Sequence, residues 1–175
     1  VLIGSVGALI ITFINYIGLK QAAVLRTVFT LMIIAVGLIL IFGSAFLGDP
    51  GNLSPFFVGG ASGIMTVLVM VPFLFVGFDV IPQVAEEANL PRRKIGTLLI
   101  VSVSSAVLFY LAIALGVGLG LNPAQLANAQ LASADAMGAL FNSNTFAQIL
   151  ILGGVAGIIT SWNSFIIGGS RVLYR

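Results

Sequence analysis

The 175-residue chain contains no histidine and no cysteine, and only 7% of its residues are charged. Without histidine it lacks the commonest general base and the commonest metal ligand. Without cysteine it can build neither a disulfide framework nor a cysteine-based zinc or iron–sulfur site. The shortage of charge excludes more, because soluble domains carry about a quarter of their residues as Asp, Glu, Lys and Arg. With 59% hydrophobic residues and a mean hydropathy of +1.20, this chain cannot cover a water-facing surface, and its main solvent must be lipid. The net charge of +2 comes from seven basic and five acidic residues. The basic residues are not gathered into one patch, which argues against a nucleic-acid partner.

What is present is a series of long apolar runs. A bilayer core about 30 Å thick needs about 20 apolar residues in a helix. The runs 1–19, 27–48 and 95–121 satisfy this, a fourth run at 60–84 does so if Asp79 is tolerated, and a fifth lies at 146–169. Residues 1–19 carry no charged n-region and no small-residue cleavage site, so they read as a span and not as a signal peptide. The chain begins and ends beside apolar runs, and the expectation is an internal part, 1–175, of a larger membrane transporter domain.

The seven Lys and Arg residues fix an expected orientation. Lys20 and Arg26 fall between the first two spans, Arg92, Arg93 and Lys94 precede 95–121, and Arg171 and Arg175 follow 146–169. The connections 49–59 and 122–145 hold acids but no base. Five crossings put all seven basic residues on one face, which the positive-inside rule makes cytoplasmic. The expected location is a plasma (inner) membrane, multi-pass. In the long last connection, Asn122 followed by Pro123 signals a helix start, and 123–140 is expected to form a helix on the outer surface.

One run is poorly suited to a continuous helix. Pro72, Gly77, Asp79 and Pro82 fall within eleven residues of 60–88, the fourth of the runs above and third in chain order. Each proline removes an N–H from the helical ladder, Gly77 costs about 1 kcal/mol relative to Ala, and Asp79 costs about 2.5–3.5 kcal/mol at a helix centre. These costs coincide if the helix is interrupted near 75–79. The first half then ends in free carbonyls, and Asp79 caps a second half whose first turn accommodates Pro82. A discontinuous helix at mid-membrane is the best pointer in a sequence to a transporter binding site. The simpler alternative is a proline kink.

In the last span, Thr160, Ser161, Asn163 and Ser164 cluster with Trp162. Two readings of these polar groups stay open: bonds across helices, or the wall of a cavity. Gly153 and Gly157 form a GxxxG face expected to serve helix packing.

Phe75-Val76-Gly77-Phe78-Asp79, followed by Glu86-Glu87 and Asn89-Leu90-Pro91-Arg92, resembles the signature of the amino acid–polyamine–organocation permeases along their sixth helix. Asn15-Tyr16-Ile17-Gly18-Leu19-Lys20 resembles the cytoplasmic end of their fourth helix, and Ser161-Trp162-Asn163 with Ser170-Arg171 resembles their eighth. The resemblance implies an all-α integral membrane protein, with five transmembrane helices (four to eight) of a leucine-transporter-like inverted-repeat fold, that fourth run being interrupted. It also implies that carbonyls of Phe73 and Val76 receive a substrate ammonium beside Gly77 and Phe78, that Phe75 gates the pocket, and that Trp162 contacts substrate. Thr30 falls near the place where some proton-coupled members carry a lysine. Ser161 and Ser164 fall where sodium-coupled relatives use hydroxyls of the eighth helix. Asp79 would then serve coupling or gating as well as capping.

The function expected from these residues is secondary active transport of amino acids or related amines by alternating access. The coupling ion would be H+ or Na+, with no cofactor and no resident metal. Lipid and the remaining helices of a full-length transporter would be the partners. An ion or solute channel lined by the interrupted helix is the alternative. An intramembrane enzyme is the weakest reading, because no pair of acids lies at matched depth in the spans.

Overall fold

The structure is a computed structural model and describes residues 2–17, 19–56, 59–72 and 91–174. It is helical, with no strand among the described residues. The described helices are α1 (Leu2–Ile17), α2 (Leu19–Leu47), α3 (Gly60–Met70), α4 (Arg92–Gly120), α5 (Pro123–Asn128), α6 (Ala132–Leu140) and α7 (Asn144–Tyr174), with a short 3-10 turn at Pro50–Leu53. Among the described residues three stretches are long and apolar enough to cross a membrane: Ala23–Leu47, Lys94–Gly120 and Asn144–Ser170. Each covers most of a run expected to span. The other two expected spans are represented by shorter apolar helices, α1 with 16 residues and α3 with 11. The expected interruption near 75–79 lies outside the described residues.

The chain divides into two compact units, residues 37–150 and the combination of 1–36 with 151–175. In the first, residues 37–47 of α2 pack against α4. The ring of Phe109 occupies the space a side chain on Gly37 would need, and Leu40 and Ser44 lie over Gly116. A side chain on Gly48 would meet Leu119. These partners rise together in number, so the two helices run parallel. Leu40 is fully buried and Ser44 nearly so. The Ser44 hydroxyl donates to the carbonyl of Ile41 at 2.8 Å, so burial leaves it satisfied.

A polar loop closes the end of this pair. The last carbonyls of a helix have no partner within it. Here the carbonyl of Leu119 accepts from the backbone N–H of Asp49 and from Nδ2 of Asn52, both at 3.0 Å. The Asp49 carboxylate in turn accepts from the N–H of Gly51 at 2.8 Å and caps the 3-10 turn.

The region expected as one outer helix is two. Asn122 starts α5 with a capping box: its Oδ1 accepts from the N–H of Gln125 at 2.8 Å, and its own N–H donates to Gln125 Oε1 at 3.0 Å. Pro123 follows in the first turn, as its place after Asn122 predicts. The helix stops at Asn128 and a second begins at Ala132. The break lets α6 bury Ala134, Ala136 and Met137 and set Ala136 and Leu140 against Gly120 of α4. Asn142, at φ 46°, ends α6 in a left-handed position that Asn tolerates. Its N–H donates to Ala139 and that of Ser143 to Gly138, the paired bonds of a Schellman motif. Phe141 stacks on Phe146 with centroids 4.2 Å apart, and its ring fills the gap over Gly43.

In the second unit α7 packs on residues 19–36 of α2. A methyl on Gly153 would touch Val36 at 3.4 Å, and one on Gly157 would touch Ile33 at 3.6 Å. One number rises as the other falls, so these helices run antiparallel. The GxxxG face is thus a packing face, and Gly154, one position round the helix, meets nothing within 4 Å. Ile11, Val36, Ala156 and Asn163 are among the buried residues of this unit.

Candidate functional site

The candidate positions that the structure describes belong to the unit of residues 1–36 and 151–175. Trp162 projects from α7 and is half-buried. Its indole lies against Gly7 of α1: a methyl placed there would lie 2.9 Å from Cζ3, 3.7 Å from Cη2 and 3.9 Å from Cε3. Asn163, next in the chain, is 3% exposed. One turn of helix is 3.6 residues, so Trp162, seven residues after Val155 and four after Ile158, shares their exposed face, about 100° round the helix from buried Asn163.

The hydroxyls are bonded along their own helices. Thr160 donates to the carbonyl of Ala156 at 2.8 Å, and Ser164 donates to that of Thr160 at 3.1 Å. Thr30, exposed on α2, donates to the carbonyl of Arg26 at 2.8 Å. Such back-bonding satisfies a hydroxyl within an apolar helix without a neighbour. Each oxygen keeps lone pairs after donating its proton, so Thr160 and Ser164 remain possible acceptors. Ser161 is exposed.

The expected positions Phe73, Phe75, Val76, Gly77, Phe78 and Asp79 lie outside the described residues. The structure follows that segment up to Pro72, where α3 gives way to a tighter turn at Val71 and Pro72. The loss of the helical N–H at Pro72 fits an ending there. No residue of α3 is buried. Its first turn carries Gly59, Gly60 and Gly63, which with Phe56, Ile64, Val67 and Leu68 line a shallow apolar groove.

Sequence reasoning missed Gly7. A glycine inside an apolar helix costs about 1 kcal/mol against Ala, a mark that Gly7 shares with Gly4. That was the available signal. Asn52 was missed as well, although the turn-forming run Asp49-Pro50-Gly51-Asn52 marks the loop.

Long apolar helices with large exposed Leu, Ile, Val and Phe side chains, and no charge within the greater part of each span, define a multi-pass integral membrane protein. The sequence matches the amino acid permease family over residues 1–175, and the chain belongs to that family, whose members are permeases and not enzymes. It is 27% identical to the branched-chain amino acid permease BcaP of Bacillus subtilis over 168 residues, covering 94% of this chain and 35% of that protein. It is 29% identical to cationic amino acid transporter 9, chloroplastic, of Arabidopsis thaliana, over 87% of this chain and 26% of that one. A methylthioribose transporter of Bacillus subtilis is 30% identical over 61% of this chain and 23% of its own length. The chain thus spans about a third of the first relative and about a quarter of the second. No solved structure matches it significantly.

Proposed function

We propose that the protein moves amino acids or related amines across a membrane as a secondary active transporter working by alternating access. The observation that carries this reading is the family match along the whole chain, joined by relatives named as permeases and transporters of amino acids. Substrate binds beside 75–79, with its ammonium on the carbonyls of Phe73 and Val76 and its side chain against Trp162. Asp79 caps the second half-helix and participates in coupling to H+ or Na+, for which Thr30, Ser161 and Ser164 are the candidate polar contacts. The five spans belong to an inverted-repeat fold in the plasma membrane, with the Lys- and Arg-bearing loops cytoplasmic.

The packing supports this topology. Residues 37–47 and α4 run parallel, so if both cross the bilayer the chain between them must return across it. The described part of that return is α3, whose 11 residues reach only about 16 Å at 1.5 Å each, roughly half of the hydrocarbon core. In this reading the crossing continues into the residues after Pro72, where the sequence concentrates Gly77, Asp79 and Pro82. A helix assembled from two short pieces satisfies both constraints.

The test is counterflow in liposomes holding the full-length protein. A transporter takes up labelled amino acid with saturation, and uptake is accelerated by unlabelled substrate trapped inside. A channel lined by the same helix shows neither saturation nor acceleration, and that result would replace this reading.

A further inference from the structure

The contact between Gly7 and Trp162 has a direction. Were the indole lying flat over Gly7, the ring atoms on either side of Cζ3 would be nearly as close as Cζ3 itself. Instead Cη2 and Cε3 stand at 3.7 and 3.9 Å against 2.9 Å for Cζ3. That pattern belongs to an approach in the plane of the ring, with the benzo edge pointing at α1. Cζ3 lies across the six-membered ring from the carbon that bears Nε1. The N–H edge of the indole therefore points away from Gly7, and Gly7 covers neither face of the ring.

Both faces and the N–H are the parts of an indole that recognise ligands. The faces take apolar side chains and cations, and the N–H takes an acceptor. The benzo edge has no such chemistry, and it is the part given over to the helix contact. A carbon at 2.9 Å from Cζ3 is closer than packed carbon atoms come, which is about 3.5–4.0 Å at the optimum. A methyl on Gly7 would force the indole to tilt or withdraw. Gly4, one turn away, has nothing within 4 Å of such a methyl, so the requirement for glycine is particular to position 7.

We propose that Gly7 is a positioning residue for substrate selection: by presenting only backbone to the benzo edge of Trp162, it sets the tilt at which the indole meets substrate. This rests on the proposed role of Trp162 in the substrate site. Selectivity is then determined in part from α1, a helix to which the sequence assigns no ligand contact.

The experiment compares Gly7→Ala, Gly4→Ala, Trp162→Phe and the double variant Gly7→Ala/Trp162→Phe in the full-length transporter in liposomes. Two quantities are measured: amino acid uptake kinetics, and the tryptophan emission spectrum taken as the difference from the matching Trp162→Phe protein. Gly7→Ala is expected to shift the Trp162 emission and raise KM about fivefold or more, a size usual for residues in contact, with the maximal rate per transporter little changed. Gly4→Ala leaves both readouts alone. The shorter phenyl ring does not reach α1, so adding Gly7→Ala to Trp162→Phe produces no further change in KM. If Gly7→Ala alone fails to accumulate, recovery of the double variant reports the same clash. Unchanged emission and unchanged KM in Gly7→Ala, alongside an altered KM in Trp162→Phe, would overturn the positioning role and leave the site reading standing. A shifted emission in Gly7→Ala with normal uptake in both single variants would instead remove Trp162 from the substrate site, and the positioning role with it.

Discussion

In the unit of residues 37–150, aromatic and aliphatic side chains fill gaps over glycines, Phe109 at Gly37, Phe141 at Gly43 and Leu40 at Gly116. A polar loop then ties Asp49 and Asn52 to the end of α4. In the unit of residues 1–36 and 151–175, glycines again bring helices close, at Gly153 and Gly157, but the hydroxyls of Thr30, Thr160 and Ser164 bond only along their own helices. The difference is one of commitment. In the first unit the loop of Asp49 and Asn52 is spent on holding elements together, and changing Asn52 removes a tertiary bond. In the second these three hydroxyls satisfy themselves locally, so their acceptor capacity can meet a ligand or ion without dismantling the packing. A frame and a site wall make these opposite demands, which fits the proposed placement of Trp162 and its neighbouring hydroxyls.

Three substitutions sharpen the contrast, measured as unfolding of the purified full-length protein in mixed micelles. Leu40→Ala empties a fully buried position between α2 and α4 and is expected to cost about 2–5 kcal/mol. A cost near zero would mean that this interlocking does not hold the frame. Asn52→Ala removes one of the two donors to the Leu119 carbonyl; the other remains, so about 1 kcal/mol is expected. Ser164→Ala breaks only a bond back to Thr160, and the loss should stay under about 0.6 kcal/mol, the average for polar contacts between membrane helices. A larger loss at Ser164 would show that the second unit also depends on its hydroxyls for packing, and the contrast would collapse.

Much of the architecture was legible because lipid imposes a simple rule: a charge-free run of sufficient length becomes a helix. That rule found 27–48, 95–121 and 146–169, which the structure holds as Ala23–Leu47, Lys94–Gly120 and Asn144–Ser170. Local chemistry was legible too, since Asn122-Pro123 caps a helix whatever surrounds it. The end of that helix was not. Residues 123–140 are rich in Ala, Gln and Leu, with no proline or strong stop signal at 129–131, and the break follows from the packing of α6 on α4. Tertiary partners were equally hidden. Composition marks Gly7 and Gly4 alike, and only the position of the Trp162 ring distinguishes them. Trp162 itself was singled out by resemblance and by its place among polar residues, not by any periodicity.

The central claim is that Trp162 faces substrate, and uptake by the full-length protein carrying Trp162→Ala tests it most directly. With insertion and abundance matched to the parent, the account predicts that saturable amino acid uptake is abolished. Uptake with unchanged KM and maximal rate would contradict it.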